Sequence, residues 1–207
     1  MIWILPFLVI FGAILWLANG IRQIGAVSSG NAGSGRSGTA LLLIDLQTVF
    51  WDSDLFNEPA KAAAESLILA EIDAAKSDRI PVIAVRQEWS IPATTAVARL
   101  LMNGQAIAGT PGTEIAAPFA GLADQTLVKR VQDAFETKEL DKILGQLNVG
   151  TLRIVGLDTN YCVAKTALAA RQRGYQVEIV KRGVLSADPK RAEKTLIMLR
   201  DKNVMLR

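Results

Sequence analysis

The side chain best suited to covalent chemistry in this sequence is the thiol of Cys162, the only cysteine among 207 residues. It lies between an apolar run at 152–155, which predicts a buried strand, and an alanine-rich segment at 164–171, which predicts a helix. A helix N-terminus provides free N–H groups and a partial positive charge, which lower the pKa of a thiol. This position favours a nucleophilic role for Cys162, but a lone cysteine is more often a small buried hydrophobic residue, so partners elsewhere in the chain must decide between the two.

Two charged residues follow other apolar runs in the same way. Asp45 comes directly after the run at 40–44, and Lys129 comes directly after the run at 125–128. Because parallel strands end at the same edge of a sheet, Asp45, Lys129 and Cys162 are predicted to converge there. Considered alone, Asp45 could equally be a helix cap, and Lys129 could be a surface lysine at a strand end.

The composition narrows the chemistry that these residues can perform. The sequence contains no histidine, which excludes Ser–His and Cys–His catalysis and histidine metal sites. The net charge is only +3, and no basic run is interleaved with aromatic residues, so no nucleic-acid partner is expected. A single cysteine excludes an internal disulfide. Any catalysis must therefore use carboxylates, lysine and the thiol.

Apolar strands alternate with helical segments between residues 39 and 207, which predicts an α/β domain with a parallel sheet covered on both faces. The predicted strands are 40–44, 81–85, 125–128, 152–155, 176–180 and 204–206. Helices are predicted over 59–76, 138–147 and 190–200, and in the segment that begins near Cys162. The irregular region 86–122 is rich in Gly, Pro and Thr, so we expect it to form a functional loop or lid.

The N-terminal segment has a different character. Residues 2–18 carry no charged or strongly polar side chain, and a helix of that length nearly matches the ~30 Å hydrocarbon core of a bilayer. Trp3 and Trp16 lie near its two ends, where aromatic rings favour the membrane interface. We therefore expect residues 1–20 to be a transmembrane anchor, with a cleaved signal segment as the alternative.

Residues 21–38 are rich in Gly and Ser and are predicted to be a flexible linker to a catalytic domain at 39–207. The first basic residue, Arg22, follows the apolar run, which favours a membrane-anchored protein with a cytoplasmic catalytic domain. Cleavage of the segment would instead give an exported protein.

Several motifs together resemble those of the isochorismatase-like cysteine hydrolases. They are Asp45-Leu46-Gln47 followed by Phe50, Lys129 followed by Ala134-Phe135, the segment 109–115, and Gly156-x-x-Thr159-x-x-Cys162-Val163-x-x-Thr166-Ala167. The resemblance covers about residues 39–206. It implies a three-layer αβα, Rossmann-like fold around a mainly parallel six-stranded sheet. The family includes nicotinamidases, carbamoylsarcosine amidases, ureidoacrylate and biuret amidohydrolases, and isochorismatases.

The resemblance also implies a catalytic triad of Asp45, Lys129 and Cys162. In that family the thiolate attacks an amide carbonyl to form a thioester, the Asp moves the proton, and the Lys stabilises the thiolate. The oxyanion donors are backbone N–H groups at the cysteine and beside a cis peptide in the preceding turn. By position, the donors correspond to the N–H groups of Asp158 and Cys162, and the cis peptide corresponds to the Leu157–Asp158 bond.

No metal or other cofactor is expected. Nicotinamidases of the family hold a metal with an Asp and histidines that follow the first two strands, and this sequence has no histidine. The acidic residues Asp52, Asp54 and Glu88 could hold a hard cation in principle, but solvated carboxylates are the commoner explanation.

The expected function is metal-independent hydrolysis of a C–N bond in a small amide, carbamoyl or ureido compound. The residues expected to line the substrate pocket are Gln47, Phe50, Trp51, Arg86, Trp89 and Tyr161, with Arg86 as a possible carboxylate ligand. Ordinary core packing remains open for the aromatic residues. The alternatives are vinyl-ether or ester hydrolysis without a covalent intermediate, and a membrane-tethered binding or scaffold protein. A homo-oligomer is possible.

Overall fold

A six-stranded sheet forms the centre of the protein in the computed structural model, which describes residues 4–207, with side chains from residue 8 onward. The strands are β1 (Gly38–Ile44), β2 (Val82–Gln87), β3 (Gln125–Lys129), β4 (Val149–Gly156), β5 (Gln176–Val184) and β6 (Met205–Leu206). Their order is β3-β2-β1-β4-β5-β6, and every neighbouring pair is parallel. The expected parallel six-stranded sheet is therefore confirmed.

The described residues also form seven α-helices. They are α1 (Ile4–Ile24), α2 (Thr48–Trp51), α3 (Glu58–Ser77), α4 (Pro92–Leu101), α5 (Glu139–Gln146), α6 (Ala164–Gln172) and α7 (Pro189–Asp201). A 3₁₀ turn at Ala117–Phe119 and a π-helical turn at Thr159–Val163 complete the described structure. The region 86–122, for which the sequence predicts only an irregular loop, therefore contains a ten-residue helix.

The central strands are continuous apolar runs because both of their faces are buried. In β1, Leu41 and Leu43 belong to one core together with Ile68 and Ile72 of α3. The alternate residues of β1 belong to a second core, which is completed by apolar side chains of α5, α6 and α7. Successive side chains of a strand point to opposite faces, so one strand supplies both cores. The three-layer arrangement follows from this alternation.

The expectation of a transmembrane helix at residues 1–20 is wrong, and so is the membrane-anchored localisation derived from it. Among the described residues, no helix has both the length and the apolar character that crossing a bilayer requires. Helix α1 continues beyond the apolar run through Arg22 to Ile24. Its C-terminal half packs on α4, where a Cβ on Gly20 would lie 2.8 Å from the carbonyl oxygen of Ala93. Trp3, expected at one membrane interface, lies outside the described residues.

The segment between α1 and β1 contacts the rest of the domain at several points. The carbonyl of Ile24 accepts a hydrogen bond of 3.1 Å from the backbone of Gln132. The backbone and hydroxyl of Ser28 donate to the Asp133 carboxylate at 2.7 and 2.6 Å, and Arg173 donates to the Ser28 carbonyl at 2.7 Å. The segment predicted as a linker at 21–38 thus runs against the loop after β3 and the end of α6. The division of the chain at residues 20 and 38 stays a prediction.

The closest approach between β1 and β4 occurs at Gly156. Its φ of 118° lies in a region that side chains rarely adopt, and an added Cβ would lie 2.1 Å from the carbonyl oxygen of Ile44. This approach lets β4 end directly beside the end of β1. The turn that leads to Cys162 therefore begins at the level of Asp45.

We expect Gly156→Ala to lower the free energy of unfolding by about 3 kcal/mol or more, because it combines backbone strain with a clash against the backbone of β1. Urea denaturation followed by circular dichroism measures the loss. Gly174→Ala is the matched control, since Gly174 also has a positive φ, of 93°, but nothing lies within 4 Å of an added Cβ. That control should lose about 1 kcal/mol. Equal losses in the two variants would show that the close approach carries no cost.

Candidate active site

The side chains at the ends of β1 and β3 meet the thiol of Cys162 in the interior of the protein. The Nζ atom of Lys129 lies 3.0 Å from Oδ2 of Asp45 and 3.2 Å from Sγ of Cys162. Lys129 is completely buried, and Asp45 and Cys162 are nearly so. The structure therefore brings together the three residues for which the sequence predicts a catalytic triad.

Asp45 reaches this position through a left-handed backbone turn at the end of β1, where its φ is 53°. Its N–H still donates to the carbonyl of Val85 at 2.9 Å, so the turn remains attached to β2. One carboxylate oxygen pairs with Lys129, and the other is buried without a nitrogen or oxygen partner. The thiol of Cys162 is within hydrogen-bonding reach of this carboxylate. Asp45 is thus placed to accept the thiol proton.

Cys162 lies in the π-helical turn that precedes α6. Asp158 fixes the start of this turn, because its carboxylate accepts hydrogen bonds from the N–H of Asn160 at 2.7 Å, the N–H of Ala187 at 2.8 Å and the hydroxyl of Ser186 at 3.0 Å. Widened helical turns of this kind are rare and often occur at functional sites. The turn directs the thiol towards Lys129, at the edge of the sheet.

A buried glutamine that the sequence analysis missed completes the coordination of Lys129. The third N–H of the ammonium donates to Oε1 of Gln87, the last residue of β2. Gln47 fixes Gln87 in turn, since its Oε1 accepts the Gln87 N–H at 2.6 Å and its Nε2 donates to the carbonyls of Gln87 and Thr113 at 3.1 and 2.8 Å. The strand order is the feature that identifies Gln87 as a site residue. Strand β2 lies between β1 and β3, and Gln87 pairs in register with Lys129.

The pKa of the Cys162 thiol differs from the value expected from the sequence. Burial and the adjacent charge of Asp45 raise the pKa of Cys162 and together outweigh the opposing effect of Lys129. Burial likewise raises the pKa of Asp45 despite its ion pair with Lys129. For Lys129, burial lowers the pKa, but the charges of Asp45 and Cys162 outweigh it, so the net shift is upward. The resting site therefore holds a thiol beside an ammonium, and the predicted lowering of the thiol pKa is wrong.

The backbone before Cys162 also differs from expectation. No peptide bond among the described residues is cis, so the cis bond expected at Leu157–Asp158 is wrong. The positive φ of Gly156 and an extended Asp158 make the turn with trans bonds, which avoids the ~3–4 kcal/mol cost of a cis bond. The N–H of Leu157 donates to the carbonyl of Ile44 at 2.9 Å. The N–H groups of Asp158 and Cys162 remain predicted oxyanion donors.

A cavity of about 450 Å³ opens beside Asp45 and Cys162, within the size range of small-molecule sites. Of the predicted pocket residues, Phe50, Trp89 and Tyr161 line it, together with Leu157 and Asp158. The other lining residues, which the sequence analysis did not identify, are Leu55, Phe56, Gln87, Leu101, Met102, Asn103, Gln105, Gln132 and Ala187. Most of these come from loops and from the end of α4, whose position depends on long-range packing.

Three predicted pocket residues are not among the residues that line the cavity. Gln47 is buried and binds the backbone, as described above. Trp51 packs edge-to-face on Phe119, with ring centroids 4.8 Å apart. Arg86 donates to the carbonyl of Thr113 at 2.7 Å and forms an ion pair of 2.5 Å with Glu88.

The side chains of this chain do not fit the metal that nicotinamidases of the family hold. The described residues contain no group of three His, Cys, Asp or Glu side chains able to bind an ion, and the whole sequence has no histidine. Asp52 and Asp54 are exposed, and Glu88 is paired with Arg86. Zinc sites need a convergent set of such donors, and the described residues do not provide one.

Several known proteins are similar to this chain in sequence or in fold. Nicotinamidase 3 of Arabidopsis thaliana is 28% identical over 142 residues, which cover 67% of this chain and 68% of the relative. A pyrazinamidase/nicotinamidase from Streptococcus mutans superposes with a TM-score of 0.71 at 24% identity, covering 82% of this chain and 100% of that one. N-carbamoylsarcosine amidase from Thermoplasma acidophilum gives a TM-score of 0.70 at 22% identity, covering 83% and 96%. These two structures share the fold.

The model of one protein family also matches most of this chain. The Isochorismatase domain matches residues 39–206, which is nearly the whole segment that carries the sheet and the triad. The expected family is confirmed, and with it the expected class of enzyme, a hydrolase. The chain therefore belongs to the isochorismatase family.

Proposed function

We propose that this hydrolase cleaves the C–N bond of a small amide, carbamoyl or ureido compound through a thioester on Cys162. The observation that carries the proposal is the buried contact of Lys129 with both Asp45 and Cys162 beside a cavity of suitable size. The likeness to proteins named as a nicotinamidase and an N-carbamoylsarcosine amidase supports C–N hydrolysis.

The first half of the reaction forms the thioester. The thiol proton passes from Cys162 to Asp45 as Sγ forms a bond to the substrate carbonyl carbon, and Lys129 stabilises the thiolate character at sulfur. The negative charge moves to the carbonyl oxygen, where the N–H groups of Asp158 and Cys162 are proposed to receive it. When this intermediate collapses, the C–N bond breaks and Asp45 returns the proton to the leaving nitrogen.

The second half regenerates the enzyme. Asp45, again a carboxylate, accepts a proton from water as the water oxygen attacks the thioester carbon. The C–S bond breaks, the acid product leaves, and the proton on Asp45 returns to the sulfur of Cys162. One water is consumed, and the products are an acid and an amine or ammonia.

The thiol is required in this mechanism, so we expect Cys162→Ala and Cys162→Ser to lower kcat by about 1000-fold or more. Ammonia release by the full-length chain, measured across a panel of small amides and ureas, tests this prediction. Mass spectrometry of the quenched wild-type reaction should detect an acyl group on Cys162. Full activity of Cys162→Ala would contradict the covalent route and favour hydrolysis through Asp45 and Lys129 alone. A wild-type chain that is inactive on the whole panel would contradict amide hydrolysis.

Asp45→Asn should have opposite effects on turnover and on thiol alkylation. Turnover should fall by about 1000-fold, because the proton acceptor is lost. Iodoacetamide should nevertheless label Cys162 faster than in the wild type near neutral pH, because the charge of Asp45 contributes to the raised pKa of the thiol. Lys129→Met should slow both reactions, since it removes the cation that stabilises the thiolate. Slower labelling in Asp45→Asn would contradict the assigned charge balance.

Gln87→Met keeps most of the side-chain volume but removes the acceptor for the third N–H of Lys129. An unpaired buried donor costs about 1–3 kcal/mol, so we expect kcat to fall about 10- to 100-fold with little change in KM. Steady-state kinetics and the rate of Cys162 alkylation measure the effect. Gln125→Met is the matched control at the exposed opposite end of β3, and it should change neither quantity. If Gln87→Met behaved like this control, Gln87 would have no role in positioning Lys129.

A further inference from the structure

We infer that the cavity selects uncharged amides and rejects substrates that carry a carboxylate remote from the bond to be cleaved. This inference rests on the proposed amide hydrolysis at Cys162 and names the substrate class of that site. The inferred selectivity distinguishes this chain from a hydrolase of anionic carbamoyl or ureido acids. The proposed reaction by itself would allow such anionic substrates.

Apart from the carboxylate of Asp158, the polar groups of the cavity outside the triad are uncharged. Amide side chains line it at Asn103, Gln105 and Gln132, and the phenol of Tyr161 adds a further neutral group. The apolar part of the lining consists mainly of Phe50, Leu55, Phe56, Trp89, Leu101 and Met102. Among the described residues that line the cavity, none is a lysine or an arginine. An amide offers both donors and acceptors to a neutral ligand but gives a carboxylate no opposite charge.

Two cations adjacent to lining residues, Lys129 and Arg86, already have partners. Lys129 is paired with Asp45 at 3.0 Å and has its other two N–H groups directed to Gln87 and Cys162. Arg86, which the sequence suggested as a carboxylate ligand, is neutralised by Glu88. Each of these cations would have to leave an existing acceptor in order to bind a substrate carboxylate.

Arg191 is a third cation near the site, and it too does not line the cavity. Its guanidinium lies 5.0 Å from the ring centre of Tyr161 and donates to the Tyr161 hydroxyl at 3.0 Å. The cavity itself is lined by two acidic side chains, Asp45 and Asp158. The carboxylate of Asp158 is engaged by backbone and hydroxyl donors, and no cation accompanies those bonds.

A substrate carboxylate in this cavity would therefore lose water without gaining an ion pair and would add negative charge beside Asp158. Both effects disfavour it, and an unpaired buried charge is a strong basis for rejection. A neutral amide of the same shape meets neither cost, and the rings of Phe50 and Trp89 provide apolar surface for its acyl group. We expect the two kinds of substrate to differ by at least about 100-fold in kcat/KM.

Matched substrates test the inference with the full-length chain. Terephthalamide and 4-carbamoylbenzoate have nearly the same shape, and they differ by one carboxylate opposite the reacting amide, as do succinamide and succinamate. Ammonia release gives kcat/KM for each, and we expect the neutral member of each pair to be preferred by about 100-fold or more. Equal or reversed preference would overturn the inference.

Binding separates a failure of this inference from a failure of the proposed function. Titration calorimetry with the Cys162→Ser variant should show tighter binding of the neutral member of each pair. If no compound releases ammonia but the neutral compounds bind selectively, amide hydrolysis is contradicted and charge selection is supported. If neutral and anionic members bind equally, or neither binds, charge selection is contradicted.

Two variants identify the origin of the selection. Met102→Arg places a cation on the cavity lining at the end of α4, and it should raise kcat/KM for the anionic member relative to the neutral member by about 10-fold or more. Arg191→Gln should change both members of a pair by the same factor. A selective loss of activity on the anionic member in Arg191→Gln would show that Arg191 recruits carboxylates, and that result would overturn the inference.

Discussion

The buried ammonium of Lys129 is the interaction on which the structure of the site depends. A charge removed from water costs several kcal/mol unless each of its donors has an acceptor. Here the acceptors come from three separate elements: Asp45 after β1, Gln87 at the end of β2, and Cys162 in the turn after β4. A shift in strand register would break these contacts together, so the charge specifies the relative heights at which the strands end.

The same constraint explains two unusual backbone conformations. Asp45 adopts a left-handed conformation as β1 ends, and Gly156 has a positive φ as β4 ends. The two residues lie on neighbouring strands, and Gly156 approaches the backbone of Ile44 too closely for any side chain. Both strands therefore leave the sheet at the same level, and the carboxylate and the thiol both reach Lys129. Local backbone strain at this edge is offset by the contacts that it permits.

The sequence predicted the parts of this arrangement that depend on local patterns. Continuous apolar runs identified the parallel strands, and a charged residue directly after β1 and β3 identified Asp45 and Lys129. It did not predict Gln87, because the importance of that amide depends on β2 lying between the two strands that carry the charges. It did not predict the raised pKa of Cys162, because that shift arises from burial and from the charge of Asp45, a residue remote in sequence.

The N-terminal helix was misjudged for a related reason. An apolar run in a sequence indicates only that its side chains favour burial away from water. At the end of α1, Gly20 and Ile24 are buried by packing against α4. The aromatic residues of the pocket illustrate the same limit, since Trp51 packs into the core while Trp89 lines the cavity. The direction of a side chain relative to a loop depends on contacts that are remote in sequence.

The raised thiol pKa is consistent with catalysis once the charge of the whole triad is considered. The ion pair between Lys129 and Asp45 gives the triad no net charge while Cys162 is a thiol, and loss of the thiol proton to solvent would leave net negative charge in a buried site. Transfer of that proton to Asp45 avoids this cost, because the ammonium then faces a thiolate and the net charge stays the same. The site therefore opposes ionisation of Cys162 into water while permitting transfer within the triad. In the proposed reaction, the thiolate of Cys162 forms when a substrate carbonyl group in the cavity is in place to accept its electron pair.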